Sequence, residues 1–147
     1  MSKTAFVVVA GLLLLPGLAE ASDKAAKSSA AVVPAGDAKW ADAPGMDGVK
    51  MAILEGMPAK GASRFFIKLP GGMAVPSHFH SPDHYAFVVS GTLVLGIDGK
   101  DVSLPSGSYF SFLGKKKHTT RCEAGADCVL FVDARGKWDV IPVGTAK

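Results

Sequence analysis

The sequence predicts an all-β domain, a jelly roll or another closed two-sheet form, on three observations. From about Trp40 onward, short apolar runs alternate with Gly, Pro, Asp and Ser, the pattern of strands spaced roughly 8–12 residues apart in a sandwich or barrel. Turn residues stand at the breaks: Ser90-Gly91 and Asp98-Gly99 suit hairpins, while Pro70-Gly71-Gly72 and Ala124-Gly125-Ala126 separate neighbouring runs. No stretch between them carries apolar residues at helical period over a helix's length.

In chain order, strands are expected at Val49–Glu55, Arg64–Leu69, Met73–His80, His84–Ser90, Thr92–Asp98, Lys100–Leu104, Ser108–Leu113, His118–Cys122, Cys128–Asp133 and Trp138–Val143. Most are rich in β-branched or aromatic residues and end at a residue that breaks a ladder. Ser22 to Asp37 holds Ala, Ser and Lys with no bulky apolar residue except Val32 and Val33, too little to build a core. Residues 22–39 therefore read as a flexible lead-in and 40–147 as a single domain. With 48% hydrophobic and 20% charged residues in 147, the chain can bury enough apolar surface to fold, which excludes a disordered protein. A net charge of +3 is too small for the field of a dedicated nucleic-acid binder.

The first 21 residues have the layout of a secretory signal peptide. Lys3 is the basic start, Phe6 to Leu15 the apolar stretch, and Ala19-Glu20-Ala21 the small-x-small cleavage site before Ser22. An uncleaved anchor is the alternative, but the apolar run falls short of the ~20 residues that span a bilayer and is closed by Pro16-Gly17. The expectation is export to the periplasm, with no stable membrane insertion after cleavage.

All four histidines fall between positions 78 and 118. In a strand, residues two apart share a face, so His78 and His80 project together while Phe79 points away. Ser81-Pro82-Asp83 is a short turn that returns His84 beside the pair, and His118 heads a much later run after Lys115-Lys116-Lys117. Four neutral imidazoles held by strands suit one divalent transition metal such as Fe, Mn, Ni, Cu or Zn. A histidine-rich surface patch is the plainer alternative, yet a surface tract has no need of a fourth member so far along the chain.

The spacing of these residues resembles the cupin superfamily. Its first motif, Gly, five residues, His-x-His, three or four residues, Glu, six residues, Gly, is matched by Gly72, His78-Phe79-His80, His84 and Gly91. Its second motif, Gly, five residues, Pro-x-Gly and a later His, is matched by Gly99, Pro105-Ser106-Gly107 and His118. The resemblance covers about Val49 to Val143. It implies a double-stranded β-helix, a small jelly-roll barrel, with one metal bound by His78, His80, His84 and His118 and with two copies pairing through their sheets. The sequence departs from the motif at His84, where most cupins carry glutamate, and in having no proline shortly before His118. Without that carboxylate the metal's charge is left uncompensated, which favours an anionic or enolate ligand.

The resemblance points to a mononuclear non-haem metal dioxygenase, with iron as the metal, or a related metalloenzyme acting on a small anionic, enolisable or phenolic compound. A non-catalytic protein that binds a small ligand or a transition metal in the cell envelope is the alternative. Metal-assisted isomerisation or hydrolysis, which needs no oxygen, is a third reading. No nucleophile elbow, phosphate-cradling loop or dinucleotide fingerprint is present in the sequence.

Cys122 and Cys128 enclose Glu123 to Asp127, and in an exported chain a disulfide stapling that hairpin is expected, with free buried thiols as the alternative. Lys115 to Lys117 could steer an anion but read better as a solvated turn. Asp83, Tyr85, Tyr109 and Glu123 stand nearest the motifs and could orient a histidine, though a surface or half-buried role suits each. Trp40 and Trp138 are expected to pack at the ends of the domain.

Overall fold

A computed structural model describes residues 30–144; the expected signal peptide lies outside them. After a single 3-10 turn at Ala35–Asp37 come eleven strands: β1 (Trp40–Asp42), β2 (Lys50–Gly56), β3 (Ser63–Leu69), β4 (Ala74–Phe79), β5 (His84–Ser90), β6 (Thr92–Ile97), β7 (Lys100–Pro105), β8 (Tyr109–Phe112), β9 (His118–Cys122), β10 (Cys128–Ala134) and β11 (Ile141–Pro142). They form a six-stranded sheet ordered β1-β2-β3-β10-β5-β8 and a five-stranded sheet ordered β11-β4-β9-β6-β7. Apart from the β1-β2-β3 meander and the β6-β7 hairpin, every connection carries the chain from one sheet to the other. That repeated crossing makes the two sheets a jelly roll.

The alternation read from the sequence shows directly in burial. In β3 and β10 every second residue is buried and its neighbours are not, so each strand lends one face to the core between the sheets. Phe65, Leu93, Leu95, Val49 and Val88 are the largest apolar side chains wholly enclosed there. On the opposite face of the larger sheet, Trp40, Ala52, Phe66, Phe131, Phe87 and Tyr109 are successive cross-strand partners and form one row across all six strands.

Several expected details differ. Asp98 and Gly99 both have positive φ (52° and 77°) and close the β6-β7 hairpin as expected. Ser90-Gly91, by contrast, is a corner: β5 and β6 lie in different sheets. Gly91 has φ 77°, and a Cβ there would lie 2.7 Å from the Asp127 carbonyl oxygen, so the corner is too tight for a side chain. Cys122 and Cys128 are bonded, but they staple no hairpin; β9 and β10 belong to different sheets, and the bridge ties one to the other. Trp40–Asp42 forms a short edge strand that its composition did not signal, and of the expected Trp138–Val143 strand only Ile141–Pro142 pairs. Among the described residues, no helix is long and apolar enough to cross a membrane.

Candidate metal centre

The histidines meet because of an irregularity in β4. Val75 pairs with Thr120 and His78 with His118, so β4 takes three residue steps where β9 takes two. This bulge at Pro76-Ser77 switches the parity of the strand. Val75 lines the pocket before it and His78 after it. His80 follows on the same side, His84 enters at the head of β5 in the opposite sheet, and His118 enters at the head of β9. All four are buried. Their ring centroids lie 4.3 Å apart for His78 and His118, 5.1 Å for His78 and His80, 5.4 Å for His80 and His118, and 4.8 Å for His80 and His84.

Three of them form a compact group. One ring nitrogen from each of His78, His80 and His118 lies within 4.8 Å of the others, an arrangement able to hold a metal ion. His84 stands beside His80 but outside this compact group, with its centroid 6.3 Å from that of His118.

Backbone carbonyls set the tautomers. Nδ1–H of His78 donates to the Pro76 carbonyl at 2.7 Å, that of His118 to the Lys116 carbonyl at 2.9 Å, and that of His80 to the Asp139 carbonyl at 2.5 Å. A carbonyl can only accept, so each ring carries its proton on Nδ1 and leaves the Nε2 lone pair free. Nδ1 of His84 is buried, and among the described residues no hydrogen-bond partner meets it, although the Pro82 carbonyl partly opposes its loss of hydration.

Burial keeps these imidazoles neutral. Loss of hydration pulls the pKa of His80 down to about 3 and that of His118 down to about 4, the carbonyl hydrogen bonds opposing it only in part. Burial likewise lowers His78 and His84. A neutral imidazole with a free Nε2 is the form that ligates a metal, and no proton has to be displaced at neutral pH. The donor set therefore fits a divalent transition metal, of the kind that accepts imidazole nitrogen.

The surrounding cavity, about 50 Å³, has apolar walls from both sheets, among them Ile67, Val75, Phe110, Leu130 and Val132. Two rings clamp the cluster: Phe112 stacks on His118 at 4.3 Å and Trp138 on His80 at 4.0 Å. Trp138, expected only to pack at an end of the domain, is thus a wall of the pocket. It was missed because the isolated sequence KWDV gives no sign of a partner so far upstream. Trp40 instead stacks on Phe66 on the outer face.

The polar residues near the motifs serve elsewhere. Asp83 accepts from the Gly114 amide at 2.7 Å, Tyr85 lies under the Arg135 guanidinium, and Tyr109 packs on Phe87 at the surface. Glu123 is exposed. The lysine turn is solvated as expected, with Lys116 paired to Asp98. Its backbone, however, belongs to the site: Lys115, at φ 68°, donates its amide to the His80 carbonyl at 2.7 Å, and the Lys116 carbonyl holds His118.

The two-sheet jelly roll is the cupin fold, and the similar solved structures agree. The polyketide cyclase RemF from Streptomyces resistomycificus matches with TM-score 0.65 at 20% identity, over 79% of this chain and 87% of its own. KdgF from Halomonas sp. matches with TM-score 0.60 at 18% identity, over 73% of this chain and 94% of its own. An RmlC-like cupin protein from Ralstonia eutropha JMP134 matches with TM-score 0.61 at 23% identity, over 77% of each chain. At these identities the likeness is one of fold. Residues 18–141 match the family described as a domain of unknown function, DUF4437, and the chain belongs to that family. No curated protein matches the sequence.

Proposed function

We propose that this chain is an exported metal-binding cupin in which His78, His80 and His118 hold one divalent transition metal, with His84 as a fourth ligand. In this reading it acts as a mononuclear non-haem dioxygenase, or a related metalloenzyme, on a small anionic or enolisable compound. The observation that carries it is the grouping of three buried ring nitrogens within 4.8 Å, each ring tied through Nδ1 to a carbonyl. When bound, the metal supplies a Lewis acid and, if it is iron, a partner for dioxygen chemistry.

The chain's own residues shape what can enter. Among the described residues no carboxylate lines the pocket, so the charge of a bound cation draws an anionic head group. Apart from the histidines and the Trp138 indole, Thr120 is the one lining side chain among the described residues with a nitrogen or oxygen atom; a second charged group on a ligand would be buried without a partner. The cavity is small as well. A void of about 150 Å³ accepts benzene, whereas this one measures about 50 Å³, room for an ion with a compact head group while a larger body rests at the mouth. Export is supported by the bond between Cys122 and Cys128, since such bonds persist in oxidising compartments.

Non-catalytic binding is the second reading, favoured by one observation: among the described residues no Asp, Glu, Tyr or Lys side chain lines the pocket to move a proton. Elemental analysis of untagged protein from its native compartment, followed by aerobic and anaerobic assays on diketones, hydroxy acids and catechols, separates the readings. Near-stoichiometric metal with oxygen uptake is expected. Metal without turnover supports the binding protein, turnover without oxygen supports isomerisation or hydrolysis, and protein devoid of metal overturns all of them.

A further inference from the structure

We infer that Trp138 and Asp139 are positioning residues of the metal centre, acting through His80 as part of a strap whose docking completes the site. The inference rests on the metal-binding reading above. His78 and His118 each find their Nδ1 acceptor two residues earlier in the chain, at Pro76 and Lys116. His80 differs: its acceptor, the Asp139 carbonyl, lies 59 residues away. Two of the three tautomers are therefore set locally, and the third exists only when a distant segment is in place.

That segment runs from β10 to β11, crossing from the larger sheet to the smaller. It is pinned along its length: the Arg135 amide donates to the Asp83 carbonyl at 2.9 Å, the Trp138 amide to the Pro58 carbonyl at 2.8 Å and the Val143 amide to the Ser77 carbonyl at 2.9 Å. Between these anchors it grips His80 and its neighbour from three sides. The Trp138 indole lies flat on the imidazole, centroids 4.0 Å apart at 19°, with its other contacts on Phe65 and His84. The Asp139 carbonyl receives Nδ1–H, and the Asp139 carboxylate receives the Ser81 amide at 2.7 Å. Ring plane and tautomer of His80, together with the amide of the residue after it, are held by two consecutive residues of the strap.

Coupling of this kind is reciprocal: if the docked strap raises metal affinity, bound metal must favour the docked strap. Loss of a group that orients a metal-ligating histidine commonly lowers affinity about 10–100-fold.

The test uses full-length protein loaded with Co(II). Asp139→Ala and Trp138→Leu are expected to weaken Co(II) binding about tenfold or more and to shift its visible absorption bands. Asp139→Asn, which can still accept from Ser81, and Trp138→Phe, which keeps a flat ring, are expected to restore both. In unaltered protein, Co(II) is expected to slow amide hydrogen exchange across residues 135–143 while leaving the β6-β7 hairpin unchanged. Wild-type affinity and spectrum in Asp139→Ala and Trp138→Leu, or exchange in 135–143 indifferent to saturating Co(II), would overturn the inference. Should the variants fail to fold, the exchange measurement decides alone. Failure of unaltered protein to bind Co(II) would instead overturn the metal reading itself.

Discussion

His78 and His118 are direct partners across β4 and β9, with ring centroids 4.3 Å apart, and each ties its Nδ1 to the carbonyl two residues before it. The pair is thus built twice by one local device, on adjacent strands of the same sheet. Removing either ring takes away one of the three grouped nitrogens. His78→Ala and His118→Ala are each expected to reduce bound metal from near one equivalent to background, as read by elemental analysis of untagged protein. Full metal retention in either variant would refute the centre.

His84 differs in kind, since among the described residues its Nδ1 meets no hydrogen-bond partner and its ring stands outside the compact group. A glutamate there would put a negative charge beside the metal. His84→Glu is expected to keep its metal while shifting preference from Cu and Zn towards Mn and Fe, because carboxylate oxygen is a harder ligand than imidazole. Competitive loading from an equimolar mixture measures the shift; an unchanged ranking would place residue 84 away from the ion.

Metal-free protein is expected to lose stability as pH falls. All four imidazoles have folded-state pKa values below the ordinary 6.5, about 3 for His80 and about 4 for His118. Below pH 6.5 the unfolded chain therefore binds more protons than the folded one, and stability rises with pH. The histidine contribution is fully present above about pH 7.5 and is lost progressively as pH falls from 6.5 towards 4 and 3. Urea midpoints of metal-free protein at pH 7.5, 6.5, 5.5 and 4.5 check this. The four-histidine variant to alanine should show a flatter profile over the same range.

The bond between Cys122 and Cys128 closes a short loop, with a sequence separation of 6. Replacing both buried cysteines by alanine is expected to lower stability by about 2 kcal/mol, the loop-closure entropy of so short a ring. Urea unfolding of the double variant against oxidised wild type measures the difference, and reduction of the wild type should move it in the same direction.

Gly91 and Gly99 share a φ of 77° but differ in surroundings. A Cβ at Gly91 would strike the Asp127 carbonyl and the Cys128 backbone, whereas nothing lies within 4 Å at Gly99. Gly99→Ala is expected to cost about 1 kcal/mol from backbone strain alone, and Gly91→Ala measurably more. Equal losses in denaturant titration would mean that the corner between the sheets relaxes freely.

Much of this architecture was legible in the residues. Nine of the ten expected strands agree with the observed ones to within one position at both ends, because alternation and turn residues are local properties of the chain. The grouping of His78, His80 and His118 was legible too, through their clustering and motif spacing, whereas His84, expected as a fourth member, stands outside the compact group. What stayed hidden was tertiary. Whether Ser90-Gly91 closes a hairpin or turns a corner depends on which sheet receives the next strand, and both outcomes want the same residues. The Asp139 and Lys116 carbonyls left no trace because any residue offers a carbonyl. Trp138 reads as one more apolar residue until the fold lays it on His80.

The extra residue in β4, between Val75 and His78, makes the contents of the pocket a matter of counting. Deleting Pro76 or Ser77, or inserting one residue beside them, would rotate His78 and His80 through the wall and into solvent with every imidazole still present in the chain. Homologues and engineered versions of this domain should accordingly be compared by length across Val75 to His80 before any identity is scored. Two sequences with the same histidines and a different tally there would have different interiors.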